Sequence, residues 1–261
     1  MHSALWVAKT GLTAMDKQLS VISNNLANVS TTGFKKDRGV FEDLMYQQLR
    51  APGGLSAQNT ELPSGLQIGA GVRVTGTQKV FSEGDYNVTD RQLDVAIQGA
   101  GFLQIVRPDG SMAYTRDGQL QLNSQGQIVD SSGQLLEPGI TIDSDVVDIN
   151  IGEDGTVSVL RAGEVDMEQI GSIEIANFIN PTGLRFLGGN LYEETNASGA
   201  PIVGVPGEDG LGVLAQGMLE SSNVNSVEEL VNMITTQRAY EMNSKVISTA
   251  DGMLGFVTQQ L

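Results

Sequence analysis

The side chains that usually carry enzyme chemistry are scarce in this chain, and their spacing does not assemble a reaction centre. His2 is the single histidine and cysteine is absent. A Ser-His-Asp triad, a multi-histidine or thiolate metal site and a cysteine nucleophile therefore lack their parts. Gly69-Ala70-Gly71 and Gly99-Ala100-Gly101-Phe102 start like dinucleotide loops, but neither completes G-x-G-x-x-G or opens a helix after a strand. The run Asp143-Ser144-Asp145-Val146-Val147-Asp148 lacks the glycine and distal glutamate of an EF-hand loop and reads as a solvated acidic turn. Acids are numerous enough for chance pairs of the kind that hydrolyse glycosides, yet no pair stands in a distinctive context. Three sequons, beginning at Asn28, Asn87 and Asn196, read as chance matches because no secretory signal precedes them. No catalytic, cofactor or metal residue is expected.

Charge separates the chain into parts. The net charge is -16, from 31 acids and 15 bases in 261 residues. Such a surface repels nucleic-acid phosphates and anionic lipid, so a nucleic-acid partner is not expected. Residues 1–38 carry five bases (Lys9, Lys17, Lys35, Lys36, Arg38) against Asp16 and Asp37. Residues 220–261 carry Glu220, Glu228, Glu229, Glu241 and Asp251 against Arg238 and Lys245. The two ends are thus opposite in sign and cancel, which leaves the whole deficit to an acidic middle flanked by complementary termini. No apolar run is long enough to span a membrane as a helix.

The elements that must position any functional surface are marked by their periods. Leu5, Leu12, Leu19 and Leu26 recur every seven residues, with Ala8, Met15, Ile22 and Val29 three further on. An apolar pair per heptad predicts a helix with a coiled-coil-like seam, ending by Ser30-Thr31-Thr32-Gly33 and roughly 40 Å long. Met233, Tyr240, Ile247, Leu254 and Leu261 repeat the pattern near the other end, accompanied by Thr236, Asn243, Ala250 and Val257. Asn225 with Glu228, or Ser226 with Glu229, resembles a capping box at its start. Each helix either packs onto a globular core or pairs with other helices, its own partner's or another subunit's. The narrow seams, separated by a long β-like middle, favour pairing.

Between the helices the period falls to two. Alternation in Ile149-Asn150-Ile151, Val157-Ser158-Val159 and Ile173-Glu174-Ile175, with turn signals at Asp109-Gly110, Asp117-Gly118, Gln125-Gly126, Ser132-Gly133 and Asp154-Gly155, predicts short antiparallel strands. The expected fold class is α+β: terminal helices over 1–32 and 224–261, an antiparallel β-domain over 76–205, and extended connections over 33–75 and 206–223. Within the first connection, residues 47–67 are too long for an ordinary link and read as an interaction loop or a disordered linker. Leu55, Leu62 and Leu66 would anchor such a loop, and Pro63 would redirect it without regular structure.

Two long motifs resemble a known family. Ser23-Asn24-Asn25-Leu26-Ala27-Asn28-Val29-Ser30-Thr31-Thr32-Gly33-Phe34-Lys35 looks like the N-terminal signature of bacterial flagellar rod and hook proteins. Ser222 to Ile234, followed by Gln237 to Lys245, is similar to the family's C-terminal helix. Asn24, Asn25, Asn28, Gly33, Phe34, Lys35, Asn223, Glu229, Gln237 and Arg238 carry those motifs. Phe41 to Gln47 and the loop through Leu62-Pro63-Ser64-Gly65-Leu66 look like a distal rod subunit, with a proximal rod subunit as the nearest alternative. A periplasmic binding module or carbohydrate-active enzyme is more remote.

The resemblance implies a non-enzymatic, cofactor-free subunit that self-assembles into a rigid hollow helical drive shaft. Leu5, Leu12, Met15, Leu19, Ile22, Leu26, Val29, Met233, Tyr240, Asn243, Ile247, Leu254 and Val257 would be its assembly residues. The loop at 47–67 would stiffen the tube. Implied partners are further copies, proximal rod proteins, the hook protein, the envelope rings around the rod and the flagellar type III export apparatus. The implied location is the periplasmic rod of the basal body, reached without a cleaved signal peptide.

Overall fold

The computed structural model describes residues 2–50, 55–57, 60–61, 64–163 and 166–259. They form an α+β protein that divides into two compact units, each built from separated stretches of chain. The first comprises Met1–Leu26, Asp37–Gln78 and Asn225–Leu261; the second comprises Ala27–Lys36 and Lys79–Val224. These divisions depart from the expected boundaries. Residues 27–36 fold with the β-rich unit, and residues 37–78 fold with the helices.

In the first unit, helix α1 (His2–Ala27) follows the heptad expectation. Ala8, Ala14 and Ile22 are buried, and Leu5, Leu12, Met15, Leu19 and Leu26 are half-buried beside them. The helix stops at Ala27, so Val29 lies in the following turn rather than on the expected stripe. Helix α2 (Ser226–Gln259) begins where Asn225 accepts hydrogen bonds from the backbone N–H groups of Val227 (3.0 Å) and Glu228 (3.3 Å). That N-cap satisfies two donors that the first turn would otherwise leave free, and Glu228 and Glu229 complement the positive end of the helix.

The expected connection at 33–75 is a long two-stranded ribbon. Strands β1 (Asp37–Asp43), β2 (Tyr46–Arg50), β3 (Leu55–Ala57), β4 (Thr60–Glu61), β5 (Leu66–Gly69) and β6 (Val72–Lys79) pair as β1 with β6, β2 with β5 and β3 with β4. Gln47 faces Ile68 and Leu55 faces Glu61 across antiparallel ladders. The Leu44 N–H bonds the Gly71 carbonyl at 2.8 Å and joins the first two ladders. Fourteen residues of continuous strand reach up to about 45 Å. Regular β pairing therefore replaces the expected irregular loop. Its backbone groups are satisfied by one another, which a solvent-exposed excursion needs to keep a fixed course.

The second unit contains β7 (Tyr86–Val88), β8 (Val95–Gln98), β9 (Phe102–Val106), β10 (Met112–Thr115), β11 (Gln121–Leu122), β12 (Ile128–Val129), β13 (Leu135–Glu137) and β14 (Val146–Ile151). It continues with β15 (Thr156–Arg161), β16 (Glu168–Ser172), β17 (Ile175–Asn177), β18 (Arg185–Gly188), β19 (Leu191–Glu193), β20 (Ile202–Gly204), β21 (Val213–Gln216) and β22 (Met218–Glu220). Its largest sheet runs β11-β12-β13-β9-β10-β19-β18, and β17 pairs with both β9 and β20. Alternation along β9 sends Leu103 and Ile105 into an aliphatic core with Val157, Ile173 and Leu214. Phe102, on the other face, joins Tyr114, Phe178 and Tyr192, whose rings meet edge to face. Ser132-Gly133 turns as expected, with Gly133 at a φ of 81° that favours glycine. Gly118 serves a different purpose: a Cβ there would collide with the carbonyl of Val95. Ile140-Thr141-Ile142, expected as a strand, makes a single bridge from Thr141 to Gln127.

Candidate assembly interface

Helix α2 carries apolar side chains on two sides. Met233, Asn243, Ile247 and Leu254 are half-buried, with Thr236 and Ala250 buried among them. Gly11 of α1 lies under this stripe, where an added Cβ would come 3.2 Å from the Asn243 amide nitrogen. The missing side chain lets the two helices approach there. Tyr240, from the same heptad, is exposed. A second set, Val227, Leu230, Val231, Ile234, Met242, Val246, Met253 and Phe256, is exposed, with Val227 at 68% and Phe256 at 63%. At 100° per residue these positions fall on the side opposite the half-buried stripe. Heptad counting selected only the first set, because a second, less regular set offers no seven-residue repeat. The side chains of Val257 and Leu261 lie outside the described residues.

The ribbon adds further exposed apolar surface. Met45 is 89% exposed, and Tyr46, Leu49, Leu66 and Ile68 are exposed as well. Leu55 sits in β3, and Leu62 and Pro63 lie outside the described residues. Near its base, Arg73 places two guanidinium donors on Glu42 at 2.7 and 3.0 Å.

The residues of the N-terminal motif divide between two tasks. Asn25 is buried in the first unit and uses its side chain as a surrogate strand edge. Its amide donates to the Asp37 carbonyl (2.9 Å), and its oxygen accepts from the Asp37 N–H (2.8 Å). Asn24 donates to the Asp37 carboxylate at 3.2 Å. Asn28 accepts from the Thr31 hydroxyl in the turn after α1.

Gly33, Phe34 and Lys35 are buried in the second unit. Gly33 has a φ of 67°, and a Cβ there would lie 2.7 Å from the Arg116 carbonyl. Lys35 donates to the Ser82 carbonyl (2.7 Å) and to Glu220 (2.5 Å), while Arg116 reaches the other Glu220 oxygen at 3.2 Å. Gly84 N–H completes the carboxylate's shell at 3.0 Å. Lys79 donates to the Lys35 carbonyl and stands over the Phe34 ring. Burial lowers the Lys35 pKa, and the Glu220 charge opposes that shift. Asn223 accepts from the Lys36 N–H (2.7 Å) and donates to the Val80 carbonyl (2.8 Å).

The segment leaving α1 and the segment leading to α2 are thus tied together by one buried carboxylate and one amide. Sequence reasoning named Lys35 and Asn223 but missed Glu220 and Arg116. Its one signal was the opposite charge of the two ends, to which Lys35 and Glu220 each contribute. Glu229 is buried in the first turn of α2, and Gln237 and Arg238 are exposed.

Comparison with known proteins gives this arrangement its context. Residues 5–35 match the family "Flagella basal body rod protein", residues 96–159 the "Flagellar hook protein FlgE/F/G D1 domain", and residues 215–260 the "Flagellar basal body rod FlgEFG protein C-terminal". The chain is 54% identical over 259 residues to flagellar basal-body rod protein FlgG of Buchnera aphidicola subsp. Schizaphis graminum, covering 99% of this chain and 100% of that protein. The chain belongs to the flagellar basal-body rod family. It is also 47% identical to the FlgG of Borreliella burgdorferi, covering 98% of this chain and 97% of that one. The FlgG of Caulobacter vibrioides is 46% identical, with 98% of each chain covered. This rod-family chain is a structural subunit of the flagellar basal body. Among the described residues no helix is long and apolar enough to cross a membrane.

Proposed function

We propose that this rod subunit polymerises into the distal rod, a rigid hollow tube that transmits motor torque to the hook. The observation that carries the reading is the exposed apolar side of α2, which extends from Val227 to Phe256. A contiguous apolar stripe of that length favours an interface over exposure to water. In the tube, terminal helices of neighbouring copies cover it in coiled-coil-like packing, while the half-buried heptad stripe holds each subunit's own helices.

The exposed ribbon lies across neighbouring copies and restricts their sliding, so that the tube resists bending. The acidic β-rich unit faces the surrounding envelope rings. Proximal rod proteins and the hook protein adjoin the two ends of the tube, and the type III export apparatus delivers the subunit to the periplasmic rod. The role is mechanical and involves no catalysis.

The test is polymerisation of variants. Ile234→Asp places a charge on the exposed side and blocks assembly while the second unit melts as before, because an unpaired charge buried in an interface costs several kcal/mol. Ile247→Asp disturbs the half-buried stripe and also blocks assembly, with loss of helix in the free subunit. Normal tubes from Ile234→Asp, seen by electron microscopy, would remove this face from the interface.

A further inference from the structure

We propose that the second unit carries a binding cleft for a neutral saccharide, formed where the β9–β10 sheet face meets the loop after β19. The cleft holds about 670 Å³, within the range of small-molecule sites. Gln104 and Tyr114 face each other across the β9–β10 ladder and both line it, with Met112 beside them. Glu194, Asn196 and Pro201 form the opposite wall.

The polar groups are available for a ligand. Among the described residues, the Gln104 amide, the Tyr114 hydroxyl, the Glu194 carboxylate and the Asn196 amide make no side-chain hydrogen bond, although Gln104 and Tyr114 are almost completely buried. Buried polar groups are normally paired, so an unpaired amide and phenol opening into one cleft point to a partner from outside. Burial first, and then the Glu194 charge, raises the Tyr114 pKa and keeps its hydroxyl a donor.

The supporting loop is rigid. The Thr195 hydroxyl donates to the Gly183 carbonyl at 2.6 Å and accepts from the Ala197 N–H at 3.1 Å, while Ser198 donates to the Thr195 carbonyl at 2.8 Å. A preorganised wall of this kind lowers the entropy lost on binding.

The chemistry favours a sugar. Planar amides and a carboxylate can each engage adjacent hydroxyls, which both donate and accept. Met112, Pro201 and the tyrosine ring supply apolar surface for the C–H face. Glu194 is the single carboxylate lining the cleft, so the site lacks the second acid that glycoside hydrolysis requires, and it binds without cleaving. This inference stands apart from assembly, since none of these residues lies on the helices or the ribbon.

The experiment titrates the monomeric full chain with maltotriose, cellotriose and chitotriose, followed by ligand-observed NMR, with pentalysine as the competing cationic probe. At least one trisaccharide binds, and Glu194→Gln and Tyr114→Phe each weaken it about tenfold with unchanged thermal midpoints. Glu194 is exposed, so its variant tests the site without disturbing the core. Absence of saccharide binding at millimolar concentration, binding indifferent to both variants, or Glu194-dependent binding of pentalysine in place of sugars would each overturn the proposal.

Discussion

Replacing Glu220 by glutamine isolates the charge of the buried junction, because the side chain keeps its shape and can still accept from Gly84 N–H. Lys35 and Arg116 then share a pocket with no counter-charge; their own side chains are only 1% and 4% exposed. Removing one partner of a buried ion pair costs about 3–5 kcal/mol. For a domain of roughly 150 residues each kcal/mol moves the melting midpoint by about 2–4 °C, so the expected loss is roughly 6–20 °C. Lys35→Met is the informative contrast. It leaves Glu220 paired with Arg116 and relieves the burial of an ammonium group, so its cost is limited to about 1–2 kcal/mol from lost hydrogen bonds. The assay is thermal melting of the full chain followed by tyrosine near-UV circular dichroism, to which Tyr86, Tyr114 and Tyr192 of the second unit contribute. If Glu220→Gln costs less than Lys35→Met, the carboxylate is not the centre of the cluster and the reasoning fails.

Gly33→Ala combines a positive φ with a Cβ 2.7 Å from the Arg116 carbonyl, and it should cost the second unit about 1–3 kcal/mol in denaturant unfolding. Burial raises the Asp117 pKa above 3.8. The folded chain therefore holds a proton that the unfolded chain has already lost, and stability falls as pH rises from 3.8 through the folded value. Asp117→Asn should remove that fall, which pH-resolved melting would detect as a flatter profile. Deleting residues 47–67 should leave subunits that polymerise into more flexible or curved tubes; straight, equally stiff tubes in electron micrographs would reduce the ribbon to a passive connection.

Local chemistry was readable where each residue's structure depends on near neighbours. The heptads of α1 and α2 and the Asn225 cap could be located because helix formation and capping operate over three to seven residues. The turn at Gly133 could be located for the same reason. The ribbon at 37–79 was harder, since β1 and β6 meet across a long stretch of chain and Tyr46-Gln47-Gln48-Leu49-Arg50, exposed throughout, has no buried alternation to mark it. Gly118 looked like another turn glycine, whereas its requirement comes from the Val95 carbonyl, a contact set by tertiary packing.

By itself the sequence determined the helical termini, the β-rich middle and the opposite charges of the two ends, because periodicity and composition are local properties. Only the tertiary structure decided that Lys35 and Glu220, 185 residues apart, share one buried hydrogen bond. It likewise decided that residues 27–36 belong to the β-rich unit and that α2 keeps a second apolar side exposed. Those outcomes depend on which surfaces meet when the chain closes, and a linear pattern records the character of each surface without recording its partner.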